Sequence, residues 1–257
     1  PWARPPTRSP APAGRAAPEH ARAGGDADDP PRAPPNGRDG GMNTPSLSAQ
    51  PTLPQAFAQL PPEPLPLADL PPLPTLFCDG GVLGRNPSHV GGTWAWCLIT
   101  ADGGFAAGGS GLLIPANRLP PWPMADDELL EICPTWPVTN NQSEFYASLR
   151  AIEYVPDDWT GRLCSDSQIT LGRLCSSWRM TGIPPRWIAR AGAALKRLGP
   201  IEPVLLQGHP TKADLARGIG AKRNLPVSEW NVRCDEVCNL MAQDYLQRLK
   251  NEKGDGG

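Results

Sequence analysis

The chain has 257 residues, a net charge of −2 at pH 7 and 34 prolines. No apolar run approaches the roughly 18 residues that a membrane span needs, and no basic stretch leads into an apolar one as in a secretion signal. The length suffices for one sizeable domain with its own core. We therefore expect a soluble, cytoplasmic protein without a membrane partner, and we expect it to be a monomer.

Proline dominates the start of the chain, where 20 of the 34 prolines precede Leu76. This stretch is nearly free of aromatic residues and cannot bury enough apolar surface to offset the entropy of ordering. We predict a disordered tail over residues 1–75, a folded domain over 76–250 and a flexible end over 251–257. An alternative for the run "PLPLADLPPLP" is a polyproline ligand for a partner domain that the sequence does not identify.

Beyond the tail, apolar patterns predict the elements in chain order. Three strands come first, followed by an insertion rich in proline and acids at 115–138 and a helix at 141–155. A strand, two helices, a strand, a long basic loop and a final helix complete the chain. Three consecutive strands followed by alternating helices and strands are typical of a mixed sheet. The expected fold class is therefore α/β, a five-stranded mixed sheet with helices on both faces.

Seven cysteines are scattered through apolar segments, and no two of them form a Cys-x-x-Cys pair. Zinc sites need tight clusters of Cys and His, and disulfide frameworks are typical of small secreted domains. We therefore expect reduced thiols in the core, without disulfides and without zinc.

The small net charge hides a gradient along the chain. Residues 160–233 contain twelve Lys or Arg against four Asp or Glu. A surplus of this size is typical of a protein that binds a polyanion such as nucleic acid. A solvated basic face has the same composition, so the charge alone leaves both interpretations open.

Four acidic residues stand at positions where a carboxylate is unusual. Asp79 and Asp166 each follow an apolar strand, Glu144 lies in the first turn of a helix, and Asp235 is flanked by cysteines on the apolar stripe of the last helix. Each has an ordinary explanation: a turn for Asp79, an N-cap for Asp166, a capping box with Asn141 for Glu144, and the helix dipole for Asp235. The ordinary explanations would all have to be true at once. A single role that the four acids share is therefore the better interpretation.

Short motifs surround these acids in a fixed order: "CDGG", "TNNQSE", "SDSQ", "QGH" and "RCDE". In this order they resemble the motifs of the ribonuclease H type 1 family, and the resemblance covers residues 76–250. It implies the ribonuclease H-like fold. It also implies an endonuclease that hydrolyses the RNA strand of an RNA–DNA hybrid and leaves 3′-hydroxyl and 5′-phosphate ends.

Gathered carboxylates repel one another, so they are stable as anions when cations lie between them. Two Mg²⁺ ions roughly 3.5–4 Å apart would neutralise the cluster and suit an in-line displacement at phosphorus, with Mn²⁺ as a substitute. By resemblance, Asp79 bridges both ions, Glu144 and Asp166 complete one site, and Asp235 completes the other. His209, in "QGH", would also be catalytic, because it would shuttle a proton or assist product release.

The resemblance also implies contacts with the substrate. Asn140, Asn141 and Gln168 match residues that touch the minor groove of the hybrid, and Thr139 matches one that grips a phosphate of the DNA strand. Short amide and hydroxyl side chains both donate and accept hydrogen bonds, which suits recognition of 2′-hydroxyls in a shallow groove. Helix capping is the ordinary explanation for these residues, and the two roles are compatible.

The chain departs from the family pattern in three places. The basic helix and loop that many bacterial members carry after "DSQ" shrinks to "WRMTGIPPRW", whereas a long basic loop follows His209. We predict that this loop takes over the phosphate grip; the alternative is that it only carries His209 into place. Its candidate side chains are Lys212, Arg217, Lys222 and Arg223. The insertion at 115–138 has no counterpart in the family and carries Asp126, Asp127, Glu128 and Glu131.

Two other functions fit parts of the sequence. The same fold serves nucleases that cut DNA, and a hybrid-binding module without activity would keep the substrate residues. The "TNNQSE" stretch argues against the first, because it matches a hybrid-reading motif. The complete set of four carboxylates argues against the second.

Overall fold

The structure is a computed structural model that describes residues 72–120 and 130–254. These residues all belong to one compact unit. The predicted tail lies outside the described residues except for its last four, and so do Asp126, Asp127 and Glu128 of the insertion. No helix in the described ranges is long and apolar enough to cross a membrane.

The described residues form six strands: β1 (Thr75–Val82), β2 (Gly92–Ile99), β3 (Phe105–Pro115), β4 (Leu130–Cys133), β5 (Gly161–Ser165) and β6 (Ile201–Leu205). They build one sheet in the order β4-β3-β2-β1-β5-β6. The β1–β2 and β2–β3 pairs are antiparallel, and the other three pairs are parallel. The predicted mixed α/β class is confirmed, but the sheet has six strands and not five.

Five α-helices flank the sheet in the described ranges: α1 (Asn140–Tyr154), α2 (Gln168–Cys175), α3 (Pro185–Arg197), α4 (Lys212–Arg217) and α5 (Glu229–Gly254). The short helix α4 lies in the basic region, where we expected a loop. Helix α5 continues to Gly254, past residue 250, at which we expected the folded domain to end.

The helices cover both faces of the sheet, as predicted. Helices α1, α2 and α3 bury their apolar side chains in one cluster, in which Tyr146 and Trp187 are among the largest fully buried residues. Helix α5 forms a separate cluster on the opposite face with Phe77 and Cys164. All seven cysteines are free, and six of them are buried.

The sixth strand, β4, comes from the acidic insertion. It pairs in parallel with the end of β3. Its Glu131 accepts hydrogen bonds from the Tyr146 hydroxyl at 2.7 Å, from Arg186 Nη2 at 2.6 Å and from Trp187 Nε1 at 3.3 Å. Because these partners belong to α1 and α3, Glu131 ties the new edge strand to the helical layer, and the role of this acid is structural.

Candidate active site

Strands β1 and β5 bring two of the predicted carboxylates to the same edge of the sheet. The strands run parallel, and Phe77 opposite Cys164 is their last paired position. Asp79 and Asp166 each lie two residues further, at the carboxyl edge that neighbouring parallel strands share. Asp79 is inside β1 and pairs with Ala95 of β2. It is therefore a strand residue, and the explanation as a turn aspartate is wrong.

Asp166 is not the cap of helix α2. The N-cap is Ser167, whose hydroxyl accepts a hydrogen bond from the Thr170 N–H at 3.3 Å. The backbone N–H of Ser167 donates in turn to Ser165 Oγ at 3.1 Å. Because serine does the capping, the carboxylate of Asp166 is available for another role.

Glycine at position 208 allows the chain after β6 to approach this carboxylate. A β-carbon built on Gly208 would lie 2.4 Å from Asp166 Oδ2, which is closer than a β-carbon normally comes to an atom that it is not bonded to. The next residue, His209, has a φ of 48°, in the left-handed region that non-glycine residues rarely adopt. The "GH" pair therefore brings His209 close enough to Asp166 for its charge to lower the pKa of that carboxyl.

Glu144 does not take part in a capping box. The box at the start of α1 consists of Thr139 and Gln142, so the ordinary explanation of Glu144 as the partner of Asn141 in a capping box is wrong. The carboxylate of Glu144 instead accepts a hydrogen bond from Asn140 Nδ2 at 2.6 Å. Burial raises the pKa of Glu144 to about 7, although a hydrogen bond from Ser167 opposes the rise. Capping therefore does not account for this acid.

Helix α5 carries the fourth carboxylate against the central strand. The thiol of Cys234 donates to the Phe77 carbonyl at 3.6 Å, and the thiol of Cys238 donates to the Asp79 carbonyl at 3.6 Å. Asp235 follows the first of these cysteines, so the contacts fix its position along β1. The buried cysteines therefore help to bring Asp235 to the site.

A cavity of about 210 Å³ opens where these elements meet. Three of the four predicted carboxylates and the predicted histidine line it, and the remaining lining comes from the loop after His209 and the first turn of α5. The lining residues are Asp79, Asp166, His209, Pro210, Asn231, Val232 and Asp235. Glu144 is not among them, but its charge acts on Asp79.

The carboxylates affect one another electrostatically. Burial raises the pKa of Asp79 well above its usual range, and the charges of Asp166, Asp235 and Glu144 raise it further. Burial also raises the pKa of Asp166, against a lowering effect of His209. Because ionised neighbours raise these values, the fully charged cluster is costly without a cation.

The donors at this cavity suit a hard divalent cation in their chemistry. In the described ranges, no three His, Cys, Asp or Glu side chains are close enough together to hold a metal ion as they stand. The cavity nevertheless gathers three carboxylates, and Asn231 adds an amide oxygen that is buried and has no hydrogen-bond partner among the described residues. Oxygen donors of this kind fit Mg²⁺ or Mn²⁺ better than zinc.

The predicted substrate residues lie at the starts of α1 and α2. Thr139 is the N-cap of α1, and Asn140 lies in the first turn of that helix with its amide bonded to Glu144. Asn141 and Gln168 are exposed. The structure therefore places two of the four residues in capping or supporting contacts and leaves two accessible.

The basic loop after His209 is more ordered than we expected. Asp214 accepts hydrogen bonds from the Thr211 N–H at 3.0 Å and the Ala221 N–H at 2.9 Å, and it forms an ion pair with Arg217. These contacts join Thr211 and Ala221, ten residues apart, to one carboxylate. Of the four predicted phosphate-binding residues, Arg217 is thus partly neutralised, whereas Lys212, Lys222 and Arg223 are exposed and form no ion pair within the described residues.

Two polar residues at the site were missed in the sequence. Asn231 is 4% exposed, lines the cavity and lies one helical turn before Asp235. Asn86, in the loop after β1, accepts a hydrogen bond from the Asn140 N–H at 3.2 Å. The four-residue spacing of Asn231 and Asp235 on one helix was a usable signal. Nothing local to Asn86 pointed to α1, because the contact joins residues 54 positions apart.

No protein-family model and no curated protein sequence matches the chain. Solved structures do match it, among them several ribonuclease H domains. The N-terminal RNase H domain of rv2228c from Mycobacterium tuberculosis is 14% identical, with a TM-score of 0.42, over 68% of this chain and 97% of that one. LC11-RNase H1 isolated from compost is 16% identical, with a TM-score of 0.44, over 68% and 99%. Its complex with an RNA/DNA hybrid matches at 14% identity and a TM-score of 0.36, over 56% and 89%.

Proposed function

We propose that this chain is a metal-dependent endonuclease of the ribonuclease H type that cleaves the RNA strand of RNA–DNA hybrids. The products would carry 3′-hydroxyl and 5′-phosphate ends. One observation carries the proposal: Asp79 of β1, Asp166 just after β5 and Asp235 of α5 line one cavity with His209, and the charge of Glu144 acts on the same cluster. The sequence motifs around these residues indicate the activity, and the cavity that the residues share supports it.

Asp79, Glu144, Asp166 and Asp235 would hold Mg²⁺ or Mn²⁺ in this site. Such ions, when bound, neutralise charge at a phosphate and make water a better nucleophile at neutral pH. The raised pKa values of Asp79 and Asp166 favour this assignment, because a cation relieves the repulsion that burial intensifies. His209 is exposed and lines the cavity, and its imidazole would exchange a proton with a reacting oxygen or with solvent.

The amide side chains around α1 and α2 support the choice of a hybrid. Asn141 and Gln168 are exposed, lie three residues before Glu144 and two after Asp166 in the sequence, and would offer both donors and acceptors to 2′-hydroxyls. The side-chain amide of Asn140 donates to the Glu144 carboxylate at 2.6 Å, so the same residue would contact the groove and position a catalytic carboxylate.

The test compares three labelled duplexes, an RNA–DNA hybrid, double-stranded RNA and double-stranded DNA, each incubated with the protein and Mg²⁺. We expect cleavage of the RNA strand of the hybrid alone, and loss of cleavage when EDTA is added. Asp235→Asn should abolish it. Glu236→Gln is the matched control, because it removes the next acid along α5, which is exposed and paired with Arg233. Cleavage of double-stranded DNA would favour the alternative nuclease, and binding of the hybrid without cleavage would favour a binding module.

A further inference from the structure

Asp214 is a buried acid that does not line the cavity of the candidate active site. It is 7% exposed and lies in helix α4, five residues after His209. Its carboxylate accepts four hydrogen bonds, from the Thr211 N–H at 3.0 Å, the Thr211 hydroxyl at 2.8 Å, the Ala221 N–H at 2.9 Å and the guanidinium of Arg217. Four donors are about as many as a carboxylate can accept, so the side chain is fully used in binding the chain around it.

The hydrogen bonds keep Asp214 ionised. They lower its pKa to about 2, and the Thr211 N–H has the largest effect, followed by the Ala221 N–H. An ionised carboxylate only accepts hydrogen bonds, so it can bind all four donors at once. The arrangement therefore persists at any pH well above that value.

The contact with Thr211 fixes the chain just after His209. Only Pro210 separates the two residues, and its ring restricts the backbone at that position. Thr211 is also the N-cap of α4, because its hydroxyl accepts a hydrogen bond from the Asp214 N–H at 3.1 Å. Asp214 and Thr211 thus bind each other in both directions, two residues after the histidine.

The contact with Ala221 fixes the chain just before His209. The neighbouring Gly220 packs on the side chain of Gln207, since a β-carbon on Gly220 would lie 2.5 Å from Gln207 Cγ. The Gln207 N–H also donates to the Pro226 carbonyl at 2.9 Å. Residues 210–226, which we call the basic segment, therefore return to the chain two residues before the histidine.

Support on both sides matters because the backbone of His209 is strained. Its φ of 48° lies in the left-handed region, and non-glycine residues stay there when the surrounding structure holds them. The side chain of His209 is exposed, so close packing around the ring does not supply that support. The contacts of the flanking residues supply it instead.

We infer that Asp214 is a positioning residue for His209, because its carboxylate closes the basic segment onto both flanks of the histidine and so fixes the imidazole at the cavity. The inference rests on the proposed function for the role of His209 in cleavage. Asp214 acts through the histidine and does not touch the substrate. A displacement of about 1 Å in a group that transfers a proton can cost on the order of a hundredfold in rate.

Cleavage kinetics in two backgrounds test the inference. In the otherwise wild-type protein, Asp214→Ala should lower kcat for the hybrid by about ten- to a hundredfold. In the His209→Ala background it should lower kcat no further, because no imidazole remains to be positioned. Loss of phosphate contacts from the same segment would raise KM in both backgrounds and leave kcat alone. An equal loss of kcat in both backgrounds would indicate a merely structural role and overturn the inference.

Three further variants sharpen the comparison. Arg217→Ala removes one donor and leaves the backbone contacts of Asp214, so it should lower kcat less than Asp214→Ala does. Asp214→Asn keeps the shape and one acceptor oxygen, and it should show a smaller loss with the same dependence on His209, even if Asp214→Ala does not fold. The matched control is Asp157→Ala, since Asp157 is exposed and pairs with Arg197 at 3.2 Å beyond the end of α1. Its kcat should be that of the wild type.

NMR follows the histidine without any substrate. The chain has three histidines, and the imidazole signal that is missing in His209→Ala identifies His209. We expect Asp214→Ala to shift and broaden this signal and to leave the signal of His89 in place. An unchanged His209 signal in a folded Asp214→Ala protein would overturn the inference.

The two arms separate two failures. If the wild-type protein cuts no hybrid, the proposed function is wrong, and NMR still decides whether Asp214 positions the histidine. If the wild-type protein cuts the hybrid but His209→Ala keeps full activity, or Asp214→Ala acts equally with and without His209, the positioning inference alone is wrong.

Discussion

Gly80 of β1 touches the backbone of α1 at Glu144: a β-carbon on Gly80 would lie 2.4 Å from the Glu144 nitrogen and 2.3 Å from the Ser143 carbonyl carbon. Both obstacles are backbone atoms, which cannot rotate away as a side chain can. Gly80 therefore lets the helix that carries one carboxylate rest on the strand that carries another. The "DG" pair joins a candidate ligand, Asp79, to the residue that makes room for Glu144.

Gly80→Ala should accordingly destabilise the protein by about 1–3 kcal/mol and reduce hybrid cleavage, because it pushes α1 away from β1. Gly192→Ala is the control. Gly192 lies inside α3 in open space, where a built β-carbon would meet no neighbouring atom within 4 Å, so alanine there should stabilise by about 0.5–1 kcal/mol. Urea unfolding should show a lower free energy of unfolding for Gly80→Ala and a higher one for Gly192→Ala. Equal effects would show that the approach of strand and helix is not tight.

Asp79→Asn should separate stability from activity. The pKa of Asp79 is raised first by burial and then by neighbouring charges, so a neutral side chain of the same shape removes repulsion from the metal-free protein. We expect a higher melting temperature in EDTA, a loss of the stabilisation that Mg²⁺ gives the wild type, and a loss of cleavage. A variant that melts as the wild type does and keeps more than a few per cent of its activity would contradict the assignment.

Glu144 should make the metal-free protein more stable in mild acid. Its pKa is about 7 in the folded protein and 4.5 in its ordinary state, so the folded protein binds the extra proton more tightly than the unfolded chain does. The contribution is therefore greatest below pH 4.5 and is lost as the pH rises through 7, with a size of about 2–3 kcal/mol.

Urea unfolding in EDTA at pH 5 and pH 8 measures this dependence. Glu144→Gln cannot ionise, so the difference in unfolding free energy between the two pH values should shift by that amount relative to the wild type. Mg²⁺ should oppose the effect, because metal ligands must be deprotonated. Identical pH dependence in the wild type and the variant would mean that Glu144 is solvated in the folded protein.

The order of the main elements could be predicted because their apolar patterns are long. Two short elements escaped prediction. β4 has four residues and follows an acid-rich segment, and its stability comes from pairing with β3 and from the bonds of Glu131 to α1 and α3. α4 has six residues, yet Thr211 three residues before Asp214 was a visible capping signal.

The candidate site likewise has features that could be predicted from the sequence and features that could not. The unusual types and order of the four acids were the signal for a shared site, and the ordinary explanations for Asp79, Asp166 and Glu144 fail on the observed strand and cap geometry. What could not be predicted was the contact of Asn86 with Asn140, which depends on how two loops meet. The pairing of Arg217 with Asp214 was also missed, because a count of basic residues does not show which of them are already neutralised.

The basic segment after His209 keeps three of its four predicted phosphate-binding side chains exposed and outside any ion pair within the described residues. Arg217 is paired with Asp214, so we expect phosphate contacts from Lys212, Lys222 and Arg223. Each contact neutralises up to one phosphate, and log affinity falls with log salt at about −0.9 per phosphate. Replacing these three residues by alanine should flatten the salt slope of hybrid binding by roughly two to three units.

Cleavage at saturating hybrid should change far less than binding. Contacts with phosphates away from the metal site would stabilise the bound substrate and the transition state equally, so they would not alter the barrier between them. The matched control replaces three exposed basic residues outside the segment, Arg118, Lys196 and Lys250, and should leave the slope unchanged. Arg217→Ala should alter the slope little but loosen the segment by removing a partner of Asp214. If the two triple variants gave equal slopes, the segment would serve only to carry His209 to the cavity, and His209→Ala would then reproduce most of the effect of shortening it.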